Sequence, residues 1–243
     1  MRRFRTSTRW HRLFLTLSGM AMGVVAFSSC LKDDTGPSQI SATAALNAVP
    51  GSEGLDIGLD NNQLNDRYWG EDFVYTDVLP YKNAYPGSRL VRVFDPGTPN
   101  AEPLTYETVN FQPGKFYTLY VVGDDELQIV VTEDDLTAPG EGNAKIRFMQ
   151  LSPDAPALDI RESTGGDVRA EDLKFMDVGD FFTVEADEPY VFDVTEAGSN
   201  EVIHSIDLTP ESNTIYTIWI KGLFDNSEDN DLAFGHDVIT VSQ

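Results

Sequence analysis

The sequence predicts an all-β protein built from two tandem β-sandwich domains, and three observations lead to this prediction. Apolar and polar residues alternate in short runs, as in residues 191–194 and 202–206, which is typical of half-buried strands. Turn residues separate these runs, and no long stretch follows the 3.6-residue period of a helix. The chain also repeats itself at a spacing of about 100 residues, which is too long for a solenoid unit and suits tandem domains.

The repeat is clearest in segments 46–57 and 149–160, which lie 103 residues apart. Both segments contain a proline followed by Leu-Asp-Ile, and the later matches are Asp77 with Asp177 and Gly97 with Gly198. A stretch rich in proline and glycine, residues 137–142, separates the copies. We therefore predict Ig-like β-sandwich domains at residues 42–138 and 142–243.

Two similar segments, residues 116–123 and 215–222, are the strongest strands of the prediction. Alternate residues of a strand point to opposite faces. One face is mostly apolar and should pack on the opposing sheet of its own sandwich; it carries Tyr117, Leu119 and Val121 in the first copy and Tyr216, Ile218 and Ile220 in the second. The other face is mixed, and it includes Tyr120 and Trp219 at equivalent positions.

The N-terminal residues have the three parts of a secretory signal. Residues 1–12 carry five arginines and no acid, residues 13–27 are apolar, and two serines precede the single cysteine, Cys30. The apolar run is shorter than the roughly 20 residues that span a bilayer. We expect residues 1–29 to be removed as a signal peptide.

This signal resembles that of bacterial lipoproteins, in which the cysteine after the small residues is lipidated and becomes the first mature residue. Lys32, Asp33 and Asp34 resemble the surface-export signal of Bacteroidota lipoproteins; a solvated linker is the alternative interpretation. The resemblance implies a membrane anchor at Cys30, a tether over residues 30–41, and a place on the outer membrane at the cell surface.

The remainder of the chain is strongly acidic. Beyond residue 29 it carries 12 basic and 40 acidic residues, a net charge of −28. Such a surface repels nucleic acid, so we exclude nucleic acid as a partner. With Cys30 lipidated, no thiol is left to form a disulfide.

Residues 145–160 resemble the opening of the domain of unknown function DUF4397, which is common in secreted bacterial proteins. The resemblance lies in a strand, the loop Ser-Pro-Asp-Ala-Pro at 152–156 and the strand with Leu-Asp-Ile. The first copy keeps Pro50 and Leu-Asp-Ile but lacks Asp-Ala-Pro, so it is the divergent copy. The resemblance implies an extracytoplasmic β module and transfers no catalytic residue.

The sequence contains few residues that carry catalysis. Beyond the signal only His204 and His236 remain, and we interpret His204 as a half-buried structural residue. No Gly-x-Ser-x-Gly elbow, free cysteine or zinc-ligand cluster is present. We therefore predict that the protein is not an enzyme and has no catalytic residues.

One acidic segment, residues 225–231, places oxygen side chains at alternate positions, as a calcium loop does. Asp225, Asp229 and Asp231 are the candidate ligands. The sixth and twelfth positions lack the Gly and Glu of an EF-hand. A solvated acidic turn is the alternative, and apart from Ca²⁺ at this loop we predict no cofactor.

Aromatic side chains suit both cores and exposed contacts. Trp69, Tyr120 and Trp219 are the candidate ligand-binding residues, with packing as the alternative for the last two. The leading function is a non-catalytic binding or structural module that contacts a glycan, a matrix component or a protein. The alternatives are an accessory subunit of a surface nutrient-uptake system, which captures glycan or peptide, and an envelope-polymer hydrolase.

Overall fold

The computed structural model describes residues 40–66, 72–98, 100–164, 166–225 and 232–242. All of these residues lie in one compact unit, Gln39–Gln243. Cys30, Lys32, Asp33, Asp34, Trp69, Asp229 and Asp231 are outside the described residues, so the predictions made for them remain predictions. The described part of the chain has no helix that is long and apolar enough to cross a membrane.

In the described residues, the first sandwich contains eight strands in two sheets. Sheet A has the order β4-β1-β7-β8 and sheet B the order β3-β2-β5-β6. The strands are β1 (Ser41–Asn47), β2 (Asp56–Leu59), β3 (Asn62–Gln63), β4 (Val78–Ala84), β5 (Gly87–Phe94), β6 (Thr105–Phe111), β7 (Phe116–Val122) and β8 (Gln128–Asp134).

The second sandwich repeats this arrangement. Sheet C has the order β12-β9-β15-β16 and sheet D the order β11-β10-β13-β14. The strands are β9 (Asn143–Gln150), β10 (Leu158–Glu162), β11 (Val168–Leu173), β12 (Phe182–Glu185), β13 (Tyr190–Glu196), β14 (Val202–Leu208), β15 (Thr214–Lys221) and β16 (Gly235–Ser242). These sixteen strands confirm the predicted all-β fold with two sandwiches.

The two copies agree in register as well as in strand order. In each, the first strand pairs in parallel with the seventh: Ala44 is opposite Thr118 in the first copy, and Arg147 is opposite Thr217 in the second. All other pairs among the sixteen described strands are antiparallel. Positions in one sandwich can therefore be compared with their equivalents in the other, strand by strand.

Each sandwich has its own apolar core between its two sheets, as the alternation of residues in the strands predicts. Tyr117, Leu119 and Val121 of β7 lie in the first core, among residues such as Ile57 and Val91. Their equivalents in β15, namely Tyr216, Ile218 and Ile220, lie in the second core.

Sheets A and C also pack on each other through the faces that point away from these cores. The contact is formed by equivalent residues of both copies, and its buried members are Leu46, Ala48, Tyr120, Val122, Met149, Leu151 and Trp219. The sheets therefore stack in the order B, A, C, D. This explains why almost every residue of β7, β9 and β15 is buried although strand residues alternate in direction.

The contact between the sandwiches corrects one prediction. Tyr120 and Trp219 are each 1% exposed, because the mixed face on which they lie is covered by the other sandwich. They cannot form an exposed platform for a ligand, and the packing alternative holds for both.

The aspartate and the glycine that match between the two copies hold equivalent turns in place. The aspartate of each Leu-Asp-Ile segment is buried and accepts a hydrogen bond from the backbone N–H of the matching glycine: Asp56 from Gly97 at 2.7 Å, and Asp159 from Gly198 at 3.1 Å. Both glycines have positive φ, which favours glycine at these positions. The match of Gly97 with Gly198 therefore reflects one hairpin geometry used twice.

A tyrosine at the start of the seventh strand of each sandwich holds the loop before it. The hydroxyl of Tyr117 accepts the backbone N–H of Gln112 at 3.0 Å. In the second copy the hydroxyl of Tyr216 accepts the N–H of Glu211 at 2.8 Å. In both cases the bond reaches five residues back, as in the tyrosine corner of Ig-type sandwiches.

Candidate functional site

Because sheets A and C cover each other, the outer sheet faces of the stack are those of sheets B and D. On sheet B, Val91 and Val93 of β5 point into the core, so Leu90, Arg92 and Phe94 lie on the opposite face, where Leu90 and Arg92 are half-buried and Phe94 is only 5% exposed. Tyr106 of β6 is opposite Arg92 and is 67% exposed. We call Leu90, Arg92, Phe94 and Tyr106 the sheet B face.

Arg92 is the centre of the sheet B face. A row across the sheet contains Gly58 of β2, Arg92 of β5 and Tyr106 of β6. The guanidinium carbon of Arg92 lies 5.5 Å from the centroid of the Phe94 ring, and the Nη2 group donates to the carbonyl of Asp60. The Nε of Arg92 is buried and has no hydrogen-bond partner. Gly58 adds no side chain beside Arg92, so the row offers a cation next to an exposed aromatic ring.

A second aromatic and arginine pair lies at the end of the same sheet. Tyr85, between β4 and β5, is 73% exposed, and the guanidinium of Arg89 lies 6.0 Å from its ring centroid. Arg89 also pairs with the Asp60 carboxylate at 3.2 Å, and that carboxylate accepts the N–H of Leu90 at 3.0 Å. The turn at Asp60 thus holds both Arg89 and Arg92.

The equivalent face of sheet D has different chemistry. Its corresponding row contains Arg161, Asp193 and Ser205, and the Ser205 hydroxyl donates to Asp193 at 3.1 Å. The fold is the same, so it does not require tyrosine and arginine at these positions. The requirements of the fold therefore do not explain why Tyr106 and Arg92 occupy these positions.

The most buried polar cluster joins the two sandwiches. Asp134 of β8 pairs with Arg147 of β9 at 2.7 Å, and their side chains are 3% and 6% exposed. Hydroxyls of Tyr81, Thr118 and Thr132 also donate to the Asp134 carboxylate at 2.6–2.8 Å.

Arg147 is held equally well. It donates to Thr217 at 2.9 Å and to Tyr120 at 3.2 Å, and its guanidinium lies 4.7 Å from the Phe181 ring centroid. Burial and the neighbouring Asp134 raise the pKa of Tyr81, so this phenol stays neutral. Each of these groups is bound to another, so the cluster connects the two sandwiches.

The Ser-Pro-Asp-Ala-Pro loop also has a structural role. Asp154 accepts the backbone N–H of Phe224 at 2.7 Å and that of Asp225 at 3.1 Å, while the Ser152 hydroxyl donates to the carbonyl of Gly222 at 2.7 Å. The loop therefore holds the chain that follows β15. Of the three calcium candidates only Asp225 is described, and it is exposed. Over residues 40–242, gaps excepted, no three His, Cys, Asp or Glu side chains gather as a metal site.

The sheet B face was not found from the sequence, because Tyr106 lies in one of many alternating runs. The useful signal is the difference between the copies. Once the strands are aligned by register, Tyr106 corresponds to Ser205 and Arg92 to Asp193. A residue that the fold needs should be similar in both copies, as Asp56 and Asp159 are.

Comparison with solved structures finds low similarity to several proteins. A family 26 carbohydrate-binding module of Amy13K from Eubacterium rectale, in complex with maltoheptaose, is 12% identical, with 84% of this chain and 97% of that chain covered and a TM-score of 0.25. A family 41 carbohydrate-binding module from a streptococcal virulence factor is 10% identical, with 74% and 92% covered and a TM-score of 0.25. The Bacillus anthracis TIE protein is 10% identical, with 75% and 34% covered and a TM-score of 0.22. Similarity at this level does not assign a ligand.

No curated protein matches the chain. Residues 41–161 match the family model described as a domain of unknown function, DUF4397. The match covers the whole first sandwich and the first two strands of the second up to Arg161, including the Ser-Pro-Asp-Ala-Pro loop. Residues 41–161 therefore belong to the DUF4397 family.

Proposed function

We propose that this protein is a non-catalytic glycan-binding protein, anchored at the outer membrane surface by a lipid on Cys30, and that the sheet B face binds the glycan. The observation that carries the proposal is the row formed by Tyr106 and Arg92. A sugar ring has an apolar face of C–H groups that stacks on an aromatic ring, and its hydroxyls accept hydrogen bonds from a guanidinium. Both groups are present on an outer sheet face, whereas the equivalent positions of the second sandwich are Asp193 on β13 and Ser205 on β14.

The position of the sheet B face in the stack supports the proposal. The sandwiches bury the opposite face of sheet A, so sheet B lies at one end of the stack of four sheets. A sheet face at the end of the stack can contact several successive sugar rings. The lipid on Cys30, with its export signal at Lys32, Asp33 and Asp34, would keep this face at the cell exterior.

Affinity electrophoresis tests the glycan part of the proposal. The full chain is run through gels that contain soluble neutral or acidic polysaccharides, and retardation in one gel identifies the ligand class. Tyr106→Ala should then weaken binding roughly three- to tenfold, because it removes one stacking contact. Tyr106 is 67% exposed, so its loss should leave stability almost unchanged. Val191→Ala, which removes an exposed apolar residue from sheet D, is the matched control. Binding that Tyr106→Ala does not weaken would refute the assignment of this face.

Metabolic labelling tests the anchor independently. The wild-type chain should incorporate labelled palmitate and fractionate with the envelope, whereas Cys30→Ser should do neither. A Cys30→Ser chain that remains in the envelope would disprove the lipid anchor and leave the glycan site untouched.

A further inference from the structure

The only two histidines beyond the signal meet in the second sandwich. His204 lies on β14 and His236 on β16, which are edge strands of sheets D and C. Nε2 of His204 and Nδ1 of His236 are 2.8 Å apart, and their ring centroids are 5.1 Å apart. The pair therefore bridges the two sheets at one open side of the sandwich.

The fold does not need this pair. His204 is opposite Val194, as Thr105 is opposite the equivalent Val93 in the first sandwich. His236 is opposite Ile220, and Ile129 is opposite the equivalent Val121. The first copy closes the same side with Thr105 and Ile129, so the two imidazoles are a feature added to the second copy.

We propose that His204 and His236 form a binding site for a divalent transition-metal ion such as Zn²⁺ or Cu²⁺. Imidazole nitrogens bind these ions at about 2.0–2.1 Å. Two such bonds at 90–110° place the nitrogens about 2.9–3.4 Å apart, so the observed N–N distance needs to increase by only a few tenths of an ångström. Each ring must also turn by about 40°, so that both lone pairs point at the metal and no longer at the other ring. Water completes the coordination.

The surroundings suit a cation. Both rings are half-buried, and burial lowers the pKa of His204 and His236, so both are neutral ligands at pH 7. The charged groups that act on His236 are Asp207 of β14, Asp237 of β16 and Lys221 of β15. Lys221 lies 3.9 Å from Asp237. The two carboxylates outnumber this one ammonium group, so the net charge beside His236 is negative and favours a bound cation.

Metal binding requires a tautomer change and no net proton release. In the hydrogen-bonded pair one imidazole carries its proton on the shared nitrogen and donates it to the other. A metal ion between the rings needs both of these nitrogens unprotonated. The donating ring must therefore carry its proton on its other nitrogen in the metal-bound state.

Calorimetry with Zn²⁺ and electron paramagnetic resonance with Cu²⁺ test the proposal on the full chain. The substitutions His204→Thr and His236→Ile introduce the residues that the first sandwich has at these positions, which favours retention of the fold. Each should weaken Zn²⁺ binding tenfold or more, as expected for the loss of a ligand. Val202→Ala, which removes an exposed side chain from the same strand β14, is the matched control and should leave Zn²⁺ binding unchanged.

The Cu²⁺ spectrum of the wild-type chain gives a second, variant-independent result. Two coupled imidazole nitrogens support the site. A spectrum with oxygen ligands only, or Zn²⁺ affinity that survives both substitutions, would show adventitious binding to carboxylates and overturn the proposal. The glycan test at Tyr106 depends on neither result.

Discussion

The ion pair between the sandwiches allows a quantitative test of what holds them together. Arg147→Met removes one partner and leaves the Asp134 carboxylate, 3% exposed, without its counter-charge. Breaking a buried pair in this way costs about 3–5 kcal/mol of unfolding free energy. Asp134→Val should cost a similar amount, because it leaves the Arg147 guanidinium buried and bound only to Thr217 and Tyr120.

The double variant should be much less destabilised than the sum of the two single variants. The repeat shows that the fold accepts apolar residues here: Val241 is equivalent to Asp134, and Ala44 to Arg147. The remaining loss should be about 1–2 kcal/mol, since the hydroxyls of Tyr81, Thr118 and Thr132 lose their acceptor. The coupling free energy should therefore exceed about 2 kcal/mol.

Urea denaturation followed by tryptophan fluorescence measures these values, because Trp219 lies in the contact between the sandwiches. Circular dichroism should give the same midpoint if both sandwiches unfold together. Single-variant losses that simply add, within about 0.5 kcal/mol, would refute the claim that Asp134 and Arg147 act as a pair.

Three further outcomes follow from the geometry. Trp219→Ala should lower the unfolding free energy by about 3–5 kcal/mol and leave glycan binding by the folded protein unchanged, as affinity electrophoresis can check. Asp159→Ala should cost about 1–3 kcal/mol in a urea melt, because the N–H of Gly198 loses its acceptor. Burial lowers the pKa of His204 and His236 below 6.5, so these imidazoles take up protons more readily in the unfolded chain than in the folded one. The unfolding free energy should therefore keep their full contribution above pH 6.5 and decrease as the pH falls below it. The loss of stability between pH 7 and pH 5 should be smaller in the double variant His204→Thr, His236→Ile, and thermal melts at the two pH values measure it.

The sequence alone determined the class of the fold, because alternation with a period of two is a local property of a strand. It also indicated which strand residues face each core, as Leu119 and Ile218 show. The repeat was also visible in the sequence, since Leu-Asp-Ile is followed about 40 residues later by its matching glycine in both copies. These features depend on residues close together in the chain, or on one pattern used twice.

Only the tertiary structure decided what covers the second face of each strand. Tyr120 and Trp219 are aromatic residues on the mixed face of their strands and could have formed an exposed platform, but the contact between sheets A and C buries both. Alternation shows that a strand has two faces, but it does not show whether solvent or another sheet meets the second one. The same reason applies to Tyr106 beside Arg92 and to His204 beside His236. Each pair joins residues from different strands, and their proximity comes from strand register and sheet packing, which depend on contacts far apart in the chain.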